Sequence, residues 1–174
     1  VVINEDGIRS FQAFPNAEKR PCIFEFVYFA RPDSIVSGKS VYEVRKRMGQ
    51  RLAEETPADV DVIIPVPDSG VPAALGFSQQ TGIPFELGII RNHYVGRTFI
   101  QPTQGMRDMG VRLKHSANRA MIEGKRVLLV DDSIVRGTTS TKIVRMIKAA
   151  GAKEVHFRSA SPPIKFPEHY GIDM

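Results

Sequence analysis

The sequence predicts an α/β fold, in which a mostly parallel sheet is flanked by helices. Short apolar segments, such as residues 61–66 and 125–130, alternate with segments whose apolar residues recur at helical spacing. Helices that connect parallel strands cover both faces of a sheet, so such strands read as nearly continuous apolar runs. The 174 residues, of which 42% are hydrophobic and 25% charged, fit about one globular domain.

The first half of the chain contains two predicted strands and two predicted helices. Aromatic residues alternate weakly over 22–29, which favours a strand. Residues 40–55 carry apolar side chains at helical spacing, with arginine and lysine on the other faces. Residues 61–66 form a short buried strand, and a helix then begins near Pro72 and ends at Gly82. Proline is favoured in the first turn of a helix and glycine after the last.

The second half continues the alternation after one interruption. Residues 86–90 predict a strand, whereas 91–124 lack a clear period and predict a long loop with about one helical turn. A strand over 125–130, a helix over 138–150 and a strand over 154–158 complete the chain. Gly151 is expected to end the helix.

Composition limits the partners of this chain. The net charge of +5 and the pI near 9.5 suit anionic ligands, either nucleic acid or phosphorylated metabolites. No apolar run approaches the ~20 residues of a membrane span, so we expect no membrane partner. The single cysteine, Cys22, excludes an internal disulfide and fits a reducing, cytoplasmic location. Its apolar surroundings favour a buried cysteine over a reactive thiol.

Residues 127–140 combine an apolar run, two adjacent carboxylates and a loop rich in hydroxyl groups. Ligands of open α/β sheets bind at the carboxyl ends of strands, and the amides that begin a helix favour phosphate. The carboxylates can accept hydrogen bonds from ribose or hold hydrated Mg²⁺. A lone Asp-Asp pair would favour a simple strand-end turn, but the loop indicates a sugar-phosphate site. Its candidate residues are Asp131, Asp132, Ser133, Ile134, Val135, Arg136, Gly137, Thr138, Thr139 and Ser140.

A second turn, residues 65–72, also follows a buried strand and precedes a helix. Its loop should therefore open on the same edge of the sheet as the acidic pair. Amides near Ser69 and Gly70 can bind a second anion, and Asp68 or Ser69 can face a metal. The alternative is an ordinary turn punctuated by proline.

The segment from Arg91 to Arg119 is strongly basic, with Asp108 as its single acid. A basic surface that touches RNA is one interpretation of this charge. A long loop inside a compact domain is more often a lid, however, and its glycines would let it move. We therefore expect a lid that closes over a pyrophosphate.

Taken together, these motifs resemble those of the type I phosphoribosyltransferases, which use phosphoribosyl pyrophosphate (PRPP). Residues 29–34, 94–100, 130–140 and 170–173 are more specifically similar to the amidophosphoribosyltransferase family, and the resemblance runs over 22–174. It implies the type I phosphoribosyltransferase fold with a long flexible loop. It also implies transfer of phosphoribose from PRPP to ammonia, the first step of de novo purine biosynthesis, with release of pyrophosphate.

The resemblance assigns roles to individual residues. Asp131 and Asp132 would bind the ribose hydroxyls and, with Ser69, Mg²⁺. Residues 133–140 would bind the 5′-phosphate, and Ser69, with Asp68 and Gly70, would face the pyrophosphate. Arg97 and Lys114 are the implied catalytic cations of the lid.

The family also implies a domain organisation and partners. We expect residues 1–21 to be a linker from a missing N-terminal glutaminase domain, and 22–174 to be a phosphoribosyltransferase domain truncated at its C-terminus. The family forms homo-oligomers that purine nucleotides inhibit. Glu168 stands where an iron–sulfur ligand would align, so we expect no cluster.

Two other functions remain open from the sequence. One is a PRPP-sensing regulator that binds nucleic acid through its basic surface, although no nucleic-acid-binding motif is recognisable. The other is a nucleobase phosphoribosyltransferase, although residues 159–163 offer no recognisable base pocket.

Overall fold

The computed structural model describes residues 1–15, 18, 21–92 and 115–163. The strands are β1 (Val2–Asn4), β2 (Gly7–Arg9), β3 (Ile35–Val36), β4 (Lys39–Ser40), β5 (Val62–Pro65), β6 (Ile89–Arg91), β7 (His115–Ala117), β8 (Arg126–Asp131) and β9 (Glu154–Ser159). The α-helices are α1 (Val41–Glu55), α2 (Val71–Thr81), α3 (Arg119–Ile122) and α4 (Thr138–Ala149). Apart from the strand pairs β1–β2, β3–β4 and β6–β7, strands and helices alternate along these ranges, as the α/β prediction requires.

A parallel sheet in the order β5-β8-β9 forms the centre of the fold. Next to β5, the chain around Phe85 extends the sheet by a single parallel bridge to Ile63. The amide of Ile63 donates to the carbonyl of Pro84 at 2.8 Å, and the amide of Glu86 donates to the carbonyl of Ile63 at 3.0 Å. The predicted parallel sheet is therefore confirmed.

Alternate residues of the central strands pack against different helices. On one face, Ile64 of β5 and Leu129 of β8 join a buried cluster with Ile147 of α4. On the other face, Ile63 and Leu128 join a cluster with Phe77 of α2. Side chains of successive strand residues point to opposite faces, so continuous apolar strands need this cover on both sides.

Helices α1 and α2 approach each other through two glycines. A Cβ added at Gly49 of α1 would lie 1.8 Å from the carbonyl oxygen of Ala73. A Cβ added at Gly76 of α2 would lie 2.0 Å from the carbonyl oxygen of Lys46. The backbones are therefore in direct contact, and Ala53 of α1 joins the same buried cluster as α2 and the central strands.

The predicted strand over 22–29 is wrong, because Glu25–Phe29 forms one π-helical turn. Phe26 and Val27 are both buried although they are adjacent, whereas a strand with one exposed face would bury alternate residues. Arg45 of α1 donates to carbonyl oxygens at both ends of this turn, which stabilises it from outside the segment. Cys22 is exposed, so the expectation of a buried cysteine is also wrong.

The remaining elements lie close to their predicted positions. The strand expected over 86–90 is shifted, since β6 begins at Ile89 and pairs antiparallel with β7 instead of joining the central sheet. Helix α3 supplies the helical turn expected within 91–124, whereas 93–114 lie outside the described residues. In the described ranges, the helices are all too short or too polar to cross a bilayer.

Candidate functional site

A cleft of about 820 Å³ lies at the carboxyl ends of β5 and β8. Both predicted loops line it, because parallel neighbours deliver their following loops to the same edge of the sheet. The cleft also includes residues from the π-helical turn and from β6 and β7. Its lining residues are Phe24, Tyr28, Val66, Pro67, Asp68, Ser69, Arg91, His115, Asp131, Asp132, Ser133, Ile134, Val135, Arg136, Gly137, Thr138, Thr139 and Ser140.

The acidic pair occupies the floor of the cleft at the end of β8. Asp132 is only 6% exposed, and its backbone amide donates to the Asp131 carboxylate at 2.9 Å. The Ser133 hydroxyl donates to the Asp132 carboxylate. Burial, reinforced by the neighbouring charge of Asp132, raises the pKa of Asp131 to about 7. Asp131 can therefore exchange a proton near neutral pH.

Neighbouring backbone hydrogen bonds hold the acidic pair in place. The amide of Val66 donates to the carbonyl of Val130 at 2.9 Å, which ties β5 to the end of β8. On the other side, the amide of Ala160 donates to the carbonyl of Asp131 at 2.9 Å, and the amide of Ser161 to that of Asp132 at 2.8 Å. Strand β8 is thus paired on both edges up to the acidic pair, and these bonds restrain the backbone of both acids.

The loop after the acids leads into α4 through a glycine. Gly137, at the N-cap of the helix, has φ = +71° and supplies no side-chain cap. Ser140 and Thr141 instead donate their hydroxyls to the carbonyl of Gly137, each at 2.9 Å. Because no N-cap side chain accepts the first amides of α4, they can bind an anion, which the helix dipole also favours.

The second loop places Asp68 and Ser69 opposite the acidic pair. The Pro67–Asp68 peptide bond is cis, and Arg91 forms an ion pair with Asp68 inside the cleft. Gly70 is buried behind the loop and does not line the cleft. A Cβ at Gly70 would lie 2.5 Å from the carbonyl oxygen of Val130, so this glycine lets the loop lie directly against β8.

The structure brings together twelve of the thirteen residues assigned to PRPP, all except Gly70, in one cleft. Arg97 and Lys114, the lid cations implied by the resemblance, lie outside the described residues. Six lining residues were not predicted as ligands: Phe24, Tyr28, Val66, Pro67, Arg91 and His115. Arg91 was visible as part of the basic segment. Phe24 and Tyr28 were hidden by the incorrect strand assignment.

The oxygen atoms of the cleft suit a metal ion that is bound jointly by the protein and by a substrate. Within the described ranges, no group of three or more histidine, cysteine or acidic side chains is placed to hold a metal ion. The cleft does offer two adjacent carboxylates and the hydroxyls of Ser69 and Ser133. Mg²⁺ is bound in this manner, by one or two carboxylates together with the phosphates of a substrate.

Comparison with known families identifies the domain. A family model described as the phosphoribosyl transferase domain matches residues 33–160. The chain belongs to the phosphoribosyltransferase domain family. The match contains both loops of the cleft and all three strands of the central sheet, so the type I phosphoribosyltransferase fold is confirmed.

Relatives of this phosphoribosyltransferase domain include longer enzymes. Amidophosphoribosyltransferase of Rhizobium etli is 67% identical over 174 residues, which cover 98% of this chain and 35% of the relative. Amidophosphoribosyltransferase 1, chloroplastic, of Arabidopsis thaliana is 58% identical over 173 residues, which cover 99% of this chain and 31% of the relative. The chain therefore spans about a third of the length of these curated relatives.

A solved structure shows the same arrangement of the domain. The glutamine PRPP amidotransferase of B. subtilis, solved in complex with ADP and GMP, matches with a TM-score of 0.84 and 53% identity. The match covers 98% of this chain and 37% of that chain. A second structure with the same TM-score is described as the allosteric regulatory enzyme of purine biosynthesis.

Proposed function

We propose that this phosphoribosyltransferase domain transfers phosphoribose from PRPP to ammonia, giving 5-phosphoribosylamine and pyrophosphate. The observation that carries the proposal is the cleft, in which the acidic pair, the loop over 133–140 and the loop over 67–70 face one another. These three parts match the ribose, the 5′-phosphate and the pyrophosphate of PRPP. The similarity to amidophosphoribosyltransferases favours ammonia over a nucleobase or a regulatory role.

The reaction exchanges one bond at C1 of the ribose. The nitrogen lone pair of ammonia forms the C1–N bond, and the electrons of the C1–O bond leave with pyrophosphate. The attacking nitrogen then loses a proton. Ammonia is already a nucleophile, so the chain has to orient the sugar and exclude water, which would otherwise hydrolyse PRPP.

Each part of the cleft has a defined task in this proposal. Asp131 and Asp132 orient the ribose through its hydroxyl groups, and the amides at the start of α4 bind the 5′-phosphate. Asp68 and Ser69 face the pyrophosphate. When bound, Mg²⁺ would neutralise charge on the departing pyrophosphate, held through Asp131, Asp132 and Ser69. Arg97 and Lys114 are proposed to add positive charge from the lid.

The parent protein is proposed to supply ammonia from glutamine through a separate glutaminase domain. The relatives are about three times longer than this chain, which leaves room for one. Residues 1–21 are then the linker. Purine nucleotides are proposed inhibitors, since a similar enzyme was solved with ADP and GMP. We propose a cytoplasmic homo-oligomer without an iron–sulfur cluster; some plant relatives are named as chloroplastic.

The proposal is tested by measuring 5-phosphoribosylamine formation from PRPP and ammonia, with Mg²⁺ present, in the full-length protein and in this 174-residue domain. Replacing Asp131 and Asp132 by Asn should reduce kcat/KM by about 100-fold or more, because the carboxylates that orient the ribose for attack are then missing. Asp59→Asn serves as the matched control, since Asp59 is 90% exposed and lies before the amino end of β5.

Two results would contradict the proposal. One is ammonia-dependent turnover that survives unchanged in the double Asn variant. The other is a wild-type protein that binds nucleic acid tightly, in a salt-sensitive and PRPP-controlled manner, without forming phosphoribosylamine. The second result would favour a PRPP-sensing regulator.

A further inference from the structure

Arg45 and Asp132 are the two buried charged residues in the described part of the chain. Arg45 lies on α1 and is 5% exposed, and Asp132 lies on the cleft floor and is 6% exposed. An isolated buried charge is costly, so buried charges persist where opposite charge or hydrogen bonds compensate them. Two opposite charges in one small domain core therefore call for a common explanation.

The Arg45 guanidinium is fixed by the segment that forms one wall of the cleft. Its Nε donates to the carbonyl of Phe26 at 2.6 Å, and its Nη2 donates to the carbonyl of Ala30 at 2.9 Å. These two carbonyls lie within and directly after the π-helical turn that carries Tyr28 into the cleft. The two carbonyl oxygens accept hydrogen bonds from Arg45 but do not neutralise its charge.

Asp132 provides the negative charge that faces Arg45 from the cleft. Both residues line a second, small cavity of about 10 Å³, together with Ser69 of the opposite loop. A space of this size holds about one water molecule, so bulk solvent does not screen the two charges. Burial lowers the pKa of Arg45, and the charge of Asp132 opposes that shift.

We propose that Arg45 is a positioning residue for the cleft, whose buried charge holds the Asp132 carboxylate in place while its two hydrogen bonds hold the wall that carries Tyr28. This inference rests on the proposed function, because it assigns Arg45 a task in binding PRPP with its metal. Arg45 touches neither the sugar nor the metal; it acts through Asp132. It resembles the outer partners that orient metal-binding carboxylates in other proteins.

The test measures binding of Mg·PRPP to the full-length protein by calorimetry, without turnover. Arg45→Gln should weaken binding by about 10- to 100-fold, the usual effect of losing an outer partner. Arg45→Lys should recover most of the affinity, because it retains the charge. Arg51→Gln is the matched control, since Arg51 lies on the same helix, is 69% exposed and pairs with Glu54 and Glu55.

A double-mutant cycle separates positioning from general destabilisation. In an Asp132→Asn background, Arg45→Gln should cause a clearly smaller loss than in the wild type, because the carboxylate is gone and only the effect on the cleft wall remains. An equal loss in both backgrounds, wild-type affinity in Arg45→Gln, or no recovery in Arg45→Lys would each overturn the proposal. If Arg45→Gln does not fold, Arg45→Met replaces it in the cycle, since an apolar residue of similar length removes the charge with less penalty.

The same measurements distinguish this inference from the proposed function. A wild-type protein that does not bind Mg·PRPP contradicts the proposed function, and the role of Arg45 fails with it. A wild-type protein that binds Mg·PRPP while Arg45→Gln binds it equally well contradicts the role of Arg45 alone.

Discussion

Asp131 is the side chain whose chemistry depends most clearly on its surroundings. Its pKa is raised to about 7, first by burial and then by the charge of Asp132. Between about pH 4 and about pH 7, the folded chain therefore holds a proton on Asp131 that the unfolded chain has released. The native state binds more protons in this window, so the free energy of unfolding decreases as pH rises through it.

This linkage predicts how Asp131→Asn changes stability. Without Mg²⁺, the free energy of unfolding of the wild-type domain should fall by about 1–3 kcal/mol relative to that of Asp131→Asn between pH 4.5 and pH 8. The reason is that only the wild type must ionise a buried carboxyl group. Urea unfolding of both proteins at the two pH values measures this difference. If the two proteins differ in unfolding free energy by the same amount at both pH values, the pKa of Asp131 is not raised in the folded state.

Gly70 has a steric task that its glycine identity makes possible. A Cβ there would lie 2.5 Å from the carbonyl oxygen of Val130 and 2.7 Å from that of Val66. Both are backbone atoms of paired strands and cannot move cheaply. We predict that Gly70→Ala displaces the loop over 67–70 and lowers kcat/KM by about 100-fold, since a shift of about 1 Å can have this effect.

Gly82→Ala is the control for this prediction. Gly82 has φ = +73° and open space around its Cβ position, and it ends α2 away from the cleft. Its replacement should cost about 1 kcal/mol of stability through backbone strain while leaving the kinetics of PRPP use intact. If Gly70→Ala and Gly82→Ala change the kinetics equally, the proposed role of Gly70 in positioning the loop is contradicted.

Among the elements, α1 and α2 depend on their glycine contact. A Gly→Ala change inside a helix normally gains up to about 1 kcal/mol from helix propensity. At Gly49 the new Cβ would lie 1.8 Å from the carbonyl oxygen of Ala73, and overpacking of a core costs about 1–3 kcal/mol or more. The steric cost is larger because the contact is with backbone.

We therefore predict that Gly49→Ala destabilises the domain by about 2 kcal/mol or more. Gln79→Ala on the exposed face of α2 should change stability by less than about 0.5 kcal/mol. Denaturant unfolding of both variants measures the two effects. A stabilised Gly49→Ala would mean that the helices separate without cost.

The elements also show where prediction from the sequence succeeded. Helices α1, α2 and α4 and strands β5, β8 and β9 were predicted within about two residues, because helical spacing, proline, glycine and apolar runs mark them locally. The segment 22–29 was not, because its π-helical turn is stabilised by Arg45, a residue of another element. Residues 86–88 were also predicted incorrectly, because they lie between the isolated bridge at Phe85 and the start of β6, and the apolar run does not mark this break.

For the whole molecule, the excess of 24 basic over 19 acidic residues agrees with an anionic substrate. The cleft nevertheless places two acids at its floor, where a metal and a sugar can use them. A basic molecule with a local acidic pair therefore suits a magnesium complex of a phosphorylated sugar better than a bare anion.

The final prediction concerns the nitrogen source. Supplied with PRPP and Mg²⁺, this 174-residue domain should form phosphoribosylamine from ammonia and not from glutamine. In the proposed function a separate glutaminase domain releases ammonia from glutamine, whereas residues 33–160 of this chain match the phosphoribosyl transferase domain. Product formation with each nitrogen source, compared with the full-length protein, checks this expectation; glutamine-supported turnover by the domain would contradict it.

The sequence by itself determined the α/β class, the two loops and twelve of the residues that line the cleft, because these depend on local signals and on the rule that parallel strands deliver their loops to one edge. Only the tertiary structure decided that Asp132 is buried, that Gly70 lies behind its loop, and that the buried Arg45 donates to carbonyls of the cleft wall. These properties arise from contacts between elements distant in sequence. Burial and electrostatic surroundings depend on such contacts, and a local pattern does not contain them.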